Sequence, residues 1–285
     1  MSGESLRSAG SEIFAPGLLD GRVALVTGGG TGLGRATALE LTRCGASVTI
    51  AGRRTEVLEQ ASAEIEVIAG PVDWVGGDVR TREHADRLVG TVLERRGRLD
   101  VLVNNAGGQY FTPAEMIAVK GWQAVWRLNV DGMLNMSEAA FELALGPAGT
   151  GTIVNITLSP HHGMPGMAHS GSARATVEAL TRELARRWAG AGVAVAAVAA
   201  GHFETDVLAK YPAAVRAGTA RSVPLQRMGA VEEHAWLVTL LASPLGRAFS
   251  GSTVTLDGAR DNWMGPWPPP GLADEAGEVP VEERR

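Results

Sequence analysis

The chain has 285 residues, enough for one large α/β domain, and its formal net charge of −5 argues against a nucleic-acid or polyanion surface. A single cysteine, Cys44, leaves no intrachain disulfide and no cysteine-built metal centre, and no metal is expected. No apolar run approaches the roughly 20 residues that cross a bilayer, and the N-terminal "MSGESLRSAGSEIFAPG" lacks the apolar core of a secretion signal, so the expected location is cytoplasmic, with no membrane partner.

From the N-terminus, short apolar runs closed by Gly or Asn alternate with segments of helical spacing. The predicted strands are "RVALVTG" (22–28), "SVTIAG" (47–52), "DWVGGDV" (73–79), "LDVLVNNAG" (99–107), "TIVNIT" (152–157), "GVAVAAVAAG" (192–201) and "STVTLDG" (252–258). The predicted helices cover 32–44, 54–68, 81–96, 113–145, 170–190 and 231–242. Strands this apolar, without alternation, are covered on both faces, and strand–helix alternation predicts a Rossmann-type, doubly wound parallel sheet of seven strands in one domain. Residues 1–17 are expected as a flexible arm and 18–260 as the domain. Residues 261–285 form an extension rich in Pro and acids that also holds Trp263 and Trp267. Residues 260–270 are expected to pack on the domain or a neighbouring subunit.

The first strand runs into "TGGGTGLG" (27–34), and a helix follows at once. Gly28 permits a tight turn, Gly32 lets the backbone approach a pyrophosphate, and Gly34 lets the helix sit close to the strand. The helix N-terminus offers N–H donors to phosphate. Gly28, Gly30, Thr31, Gly32, Leu33 and Gly34 are therefore candidate dinucleotide-binding residues. At the end of the second strand an acid would take the ribose 2′-hydroxyl. Here stand Arg53 and Arg54, whose forks suit a 2′-phosphate, and the expected cofactor is NADP(H).

"TGGGTGLG", "GDV" (77–79), "NNAGG" (104–108), "LNV" (128–130), "IVNIT" (153–157) and "LDG" (256–258) come in the order and spacing of the short-chain dehydrogenase/reductase family, which the chain resembles over about 18–260. The resemblance implies that Asp78 and Val79 flank the adenine and that Asn105, Ala106 and Gly107 line the cofactor. It also implies that Thr205 contacts the nicotinamide end and that the protein is a homo-oligomer, tetramer or dimer. "NNAGGQYFTPAEMIAVKGWQAV" (104–125) and "HSGSARATVEALTRELA" (169–185) look like peroxisomal trans-2-enoyl-CoA and 2,4-dienoyl-CoA reductases. Bacterial citronellol-dehydrogenase-like proteins share the same look.

The usual family chemistry uses Ser, Tyr and Lys. Here the tyrosine position reads Ser170 and the lysine position Arg174, and the serine falls at Leu158 or Ser159. An aliphatic hydroxyl cannot replace a phenol of pKa about 10. The enoyl reductases offer a precedent for moved chemistry, with a donor at the thioester oxygen and an acid for carbon. Ser170 is the candidate donor, or alternatively a plain helix N-cap. Arg174 is expected to hold the nicotinamide ribose. His161 or His162 is the preferred proton donor, with His169 and His202 on neighbouring loops. Thr157 and Ser159 are further hydroxyl candidates. Gln109 matches an amide that touches substrate in dienoyl reductases, and Asn129 is expected to support the helix backbone and a proton-relay water. Arg216, Arg221 and Arg227 are basic residues available to an acyl-CoA.

Three readings remain open: an NADP(H)-dependent reductase of a C=C bond conjugated to a carbonyl, such as an enoyl thioester; an alcohol or ketone dehydrogenase of the citronellol type; and a protein without redox turnover, kept for binding or a non-redox reaction such as cyclisation.

Overall fold

The computed structural model describes residues 9–159, 161, 166–206, 219 and 221–263. His162, Arg216 and Trp267 lie outside the described residues.

Seven parallel strands form one sheet: β1 (Val23–Thr27), β2 (Ser47–Gly52), β3 (Asp73–Gly76), β4 (Val101–Asn104), β5 (Gly151–Leu158), β6 (Val193–Ala200) and β7 (Thr253–Leu256). Their order is β3-β2-β1-β4-β5-β6-β7, so the chain reverses direction across the sheet between β1 and β4. β1, β4 and β6 are buried at every position, as expected of strands covered on both faces. The predicted strands at 73–79 and 99–107 end earlier, because their Gly- and Asn-bearing tails become the loops that border the site.

The helices are α1 (Gly32–Arg43), α2 (Thr55–Ala69), α3 (Arg82–Arg96), α4 (Val119–Trp126), α5 (Gly132–Ala140), α6 (Gly146–Ala148), α7 (Ala168–Trp188) and α8 (Val231–Ala242). α1, α2 and α8 cover one face around Leu41, Ile50, Ile65 and Leu241, while α3, α5 and α7 cover the other around Leu25, Leu88, Leu102 and Ile153. Each such fully buried aliphatic side chain contributes roughly 1.5–3 kcal/mol of transfer free energy. The segment predicted as one helix over 113–145 is divided. A short 3₁₀ turn at Ala114–Met116 precedes α4, and π-turns at Arg127–Asp131 and Phe141–Leu145 separate α4, α5 and α6.

Part of the expected N-terminal arm lies against the domain. Ser11 Oγ donates to Glu40 Oε1 at 2.5 Å, and Phe14 packs on the core. No described helix is long and apolar enough to cross a membrane.

Candidate active site

Where the strand order reverses, a groove of about 460 Å³ opens at the carboxyl ends of the strands, the place where open α/β sheets bind ligands. It collects Gly28, Gly30, Thr31, Gly32, Leu33, Gly34, Arg53, Arg54, Asp78, Val79, Asn105, Ala106, Gly107, Arg174 and Thr205. Every residue expected at the cofactor thus borders one cavity, and Gln109 and Thr157 border it too.

The floor is backbone. Gly28 turns with φ +66°, and a Cβ on Gly34 would stand 2.3 Å from the Gly28 carbonyl oxygen and 2.4 Å from Asn105 Nδ2. Asn105 fixes the turn from the opposite side, donating Nδ2 to the carbonyls of Thr27 and Gly28 at 3.0 and 3.2 Å. Thr27 Oγ1 accepts from the N–H groups of Asn105 and Ala106. Above it α1 begins without an acid in its first turn, and its N-cap Thr31 makes no side-chain cap. Its leading N–H donors and positive dipole end are left for an anion.

At the end of the groove expected to face adenine, Arg80 grips Asp78 through Nε, 2.9 Å from both carboxylate oxygens. This hydrogen bonding holds Asp78 below the usual carboxylate range against the opposing burial, with Arg53 adding a weaker pull. Arg53 and Arg54, both exposed, follow β2 directly.

The far end is built around Arg174. It is half-buried in the groove wall; Nη1 donates to the Ile156 carbonyl at 2.6 Å, and the buried Nε has no hydrogen-bond partner among the described residues. Burial pushes the guanidinium down to about 10, so it stays charged at neutral pH. A Cβ on Gly107 would lie 2.4 Å from Arg174 Nη2, which shows how closely the post-β4 loop approaches that fork.

Asn129 sits in the first π-turn and clasps Gly108 from both sides. Its Oδ1 accepts from Gly108 N–H at 3.2 Å, and Nδ2 donates to the Gly108 and Val125 carbonyls at 2.9 and 2.7 Å. The extra residue of a π-turn is what turns an interior helix side chain outward to a loop. Asn129 therefore ties the loop at Gly108 to the helix backbone at Val125.

Several candidates stand elsewhere than foreseen. Ser170 is the third residue of α7, so it is not an N-cap. It is completely buried, and its hydroxyl donates to Gln109 Oε1 at 3.0 Å. Gln109, not Ser170, borders the groove. Of the two positions expected for the usual serine, Leu158 borders the groove, while Ser159 is buried and donates to Asp257. His161 does not border the groove, because both of its ring nitrogens face carboxylates. His169 is buried against Tyr110, with ring centroids 4.5 Å apart, and burial lowers its pKa, the Met167 backbone partly offsetting it. His202 is lowered chiefly by burial as well. Arg227 is engaged by Glu233 at 2.7 Å.

The sequence reading missed Gly108, Leu128, Ile156, Ala200 and Gly201, which also line the groove. Gly108, Leu128 and Ile156 belong to the motifs "NNAGG", "LNV" and "IVNIT", whereas the signal of Ala200 and Gly201 was position at the carboxyl end of β6. It also missed a buried chain beneath the site, in which Asn104 donates to Ser137 and Asn155, and Asn155 donates to Thr181.

A family model described as short chain dehydrogenase matches residues 22–216. The chain belongs to that family of oxidoreductases. Its members work with a nicotinamide cofactor. A probable 2,4-dienoyl-CoA reductase of Bacillus subtilis (strain 168) is 34% identical over 256 residues, covering 88% of this chain and all of the relative. The FabG 3-oxoacyl-acyl-carrier-protein reductase of Thermotoga maritima is 32% identical over 241 residues, 84% of this chain and 98% of its own. The solved structure of a citronellol catabolism dehydrogenase of Pseudomonas aeruginosa PAO1 has a TM-score of 0.79 and 40% identity, covering 87% of this chain and 98% of its own.

Proposed function

We propose that this chain is an NADP(H)-dependent reductase of a carbon–carbon double bond conjugated to a carbonyl, an enoyl thioester in the first instance. The cofactor would lie with its pyrophosphate on the glycine turn and the start of α1, a 2′-phosphate at Arg53 and Arg54, and its nicotinamide ribose at Arg174. The backbone cradle at Gly34 and the unpartnered buried Nε of Arg174 fit such an anionic, hydroxyl-bearing ligand. The nicotinamide supplies the hydride.

The observation that carries the reaction type is the hydrogen bond from Ser170 to Gln109. With Oε1 filled, the Gln109 carboxamide has its NH₂ to offer a ligand in the groove. An amide N–H stabilises a developing enolate oxygen but has no proton to give up near neutral pH. Ketone reduction needs a proton delivered to oxygen, whereas conjugate reduction ends with a proton on carbon, which water can bring. A donor set of carboxamide and guanidinium therefore suits the second chemistry. Ser170 acts here as a positioning residue. The names of the dienoyl-CoA reductase relatives support the same class. A second reading, an alcohol dehydrogenase for a terpenoid alcohol, is favoured by the 40% identity to the citronellol catabolism enzyme. Assembly as a homodimer or homotetramer goes with either, supported by exposed Met116, Val119 and Trp126 on and beside α4.

The test follows NADPH consumption with a 2,4-dienoyl-CoA, a trans-2-enoyl-CoA, a ketone and citronellal, and NADP⁺ reduction with citronellol. Turnover with the thioesters is expected, and Ser170→Ala should lower kcat about tenfold while leaving NADPH affinity unchanged, since one neutral hydrogen bond is worth about 1 kcal/mol. Turnover confined to the ketone or the terpenoids overturns the thioester reading, and no turnover at all favours a redox-silent protein. Arg53→Ala should weaken NADPH ten- to a hundredfold and NADH hardly at all. An equal loss for both removes the 2′-phosphate assignment.

A further inference from the structure

Beyond the outer end of β5, groups from four segments converge on one imidazole. The Asp261 carboxylate holds His161 twice: Oδ1 accepts its main-chain N–H at 2.5 Å, and Oδ2 stands 2.5 Å from ring Nδ1. On the opposite side Nε2 lies 3.0 Å from Glu178 Oε1, which also accepts from Thr157 Oγ1 at 2.9 Å. Behind this pair, Asp257 Oδ2 accepts from Ser159 Oγ and, at 2.7 Å, from the Asp261 N–H. Two further charged or titratable groups stand near. Arg260 follows β7, and His202, after β6, feels the charges of both Arg260 and Asp257.

A neutral imidazole carries one N–H. It would satisfy one carboxylate and turn a lone pair on the other. Only the imidazolium donates to both. We propose that His161, as a cation, is a positioning residue: it clasps the end of β5 to α7 and to the turn after β7, and so holds Thr157 and Leu158 at the groove wall. Proton loss breaks one of the two contacts and leaves two acids facing a neutral ring.

The surrounding charge agrees. Burial alone would lower His161, but the hydrogen bond to Asp261, the charge of Glu178 and the remaining acid contacts outweigh it and leave the group raised. The sign follows from linkage: a raised folded-state pKa makes the clasp fully present below the ordinary imidazole value of about 6.5, and it is lost as pH rises through the raised value. This assigns His161 a role apart from proton donation to substrate, and it holds whichever substrate the groove takes.

The test needs only the full chain. The ring nitrogens of His161 are titrated by NMR, and amide exchange is followed at residues 157–159 and 257–261. In the wild type His161 is expected to titrate above the ordinary value, with both nitrogens protonated below it. Protection of those amides should fall about tenfold, beyond the intrinsic base-catalysed increase, as pH passes that titration. Asp261→Asn should bring the titration down by about one pH unit, and His161→Gln should show the lower protection at every pH. Should Asp261→Asn fail to fold, Glu178→Gln probes the other contact with the same expected direction. A wild-type titration at or below the ordinary value, or one unmoved by either acid substitution, overturns the clasp.

Discussion

The two ends of the groove are built by different means. Beneath the expected pyrophosphate the working parts are backbone: a left-handed glycine at 28, a missing side chain at 34 and a helix start free of acids. All lie within one turn of chain. Around Arg174 the working parts are side chains paired across long separations, 61 residues between Ser170 and Gln109 and 100 between His161 and Asp261. The first end depends on what is absent at a few consecutive positions, and the second on who meets whom in the fold. The first should fail completely when an atom is added, and the second should change by degrees when a partner is removed.

The severest test of the backbone end is Gly34→Val. Its Cβ would stand 2.3 Å from the Gly28 carbonyl oxygen, a contact with main chain that no rotamer relieves. Overpacking of this kind costs about 3 kcal/mol, so NADPH affinity should fall at least about a hundredfold or the domain should fail to fold. Calorimetric titration beside circular dichroism separates those outcomes, and near-normal NADPH affinity would refute the cradle.

Arg174→Met tests the side-chain end, and its two effects should have opposite signs. NADPH affinity falls about ten- to a hundredfold as a charge-assisted contact is lost. The cofactor-free protein gains about 2 kcal/mol, because a desolvated charge with no acidic partner among the described residues is removed. Thermal melts with and without NADPH measure both. A destabilised cofactor-free protein would mean that Arg174 is held for the fold rather than for a ligand.

The same contrast explains what the sequence made legible. "TGGGTGLG" was legible because turn geometry, close approach and helix start are local requirements, each written in a residue type. The sheet was equally plain, since strands such as "VAVAAVAA" admit no water on either face. Ser170 was visible as a departure and Gln109 as an amide near the substrate, but their hydrogen bond was not, because nothing in either neighbourhood encodes a contact made by folding. His161 stood out as a histidine on the right loop. Its burden of two carboxylates comes from residues 178 and 261, and no periodicity links them. The π-turn that delivers Asn129 to Gly108 was read as ordinary helix, since one inserted residue leaves the apolar pattern almost intact.

Two histidines sharpen the comparison through pH. His161 is raised by its acids, whereas His234 in α8 is wholly buried, its Nδ1 3.4 Å from Thr37 Oγ1 of α1, and burial lowers it to about 4. Between pH 6.5 and about 4 the unfolded chain takes up a proton that the fold refuses at His234, so stability falls with decreasing pH. The loss reaches about 3 kcal/mol near pH 4. It should be visible as a declining urea midpoint and largely absent in His234→Phe. An identical acid slope in that variant would assign the loss to other groups.

The smallest effect probes a glycine at the side-chain end. A Cβ on Gly171, in the first turn of α7, meets nothing within 4 Å, and its φ is not positive. Gly171→Ala therefore adds no clash and lowers the entropy of the unfolded chain, for a gain of about 0.5 kcal/mol. NADPH affinity should stay unchanged, in contrast to Gly34→Val. A loss of affinity would show that the cofactor reaches past Arg174 to the α7 terminus, and that this end of the groove too is shaped by missing side chains.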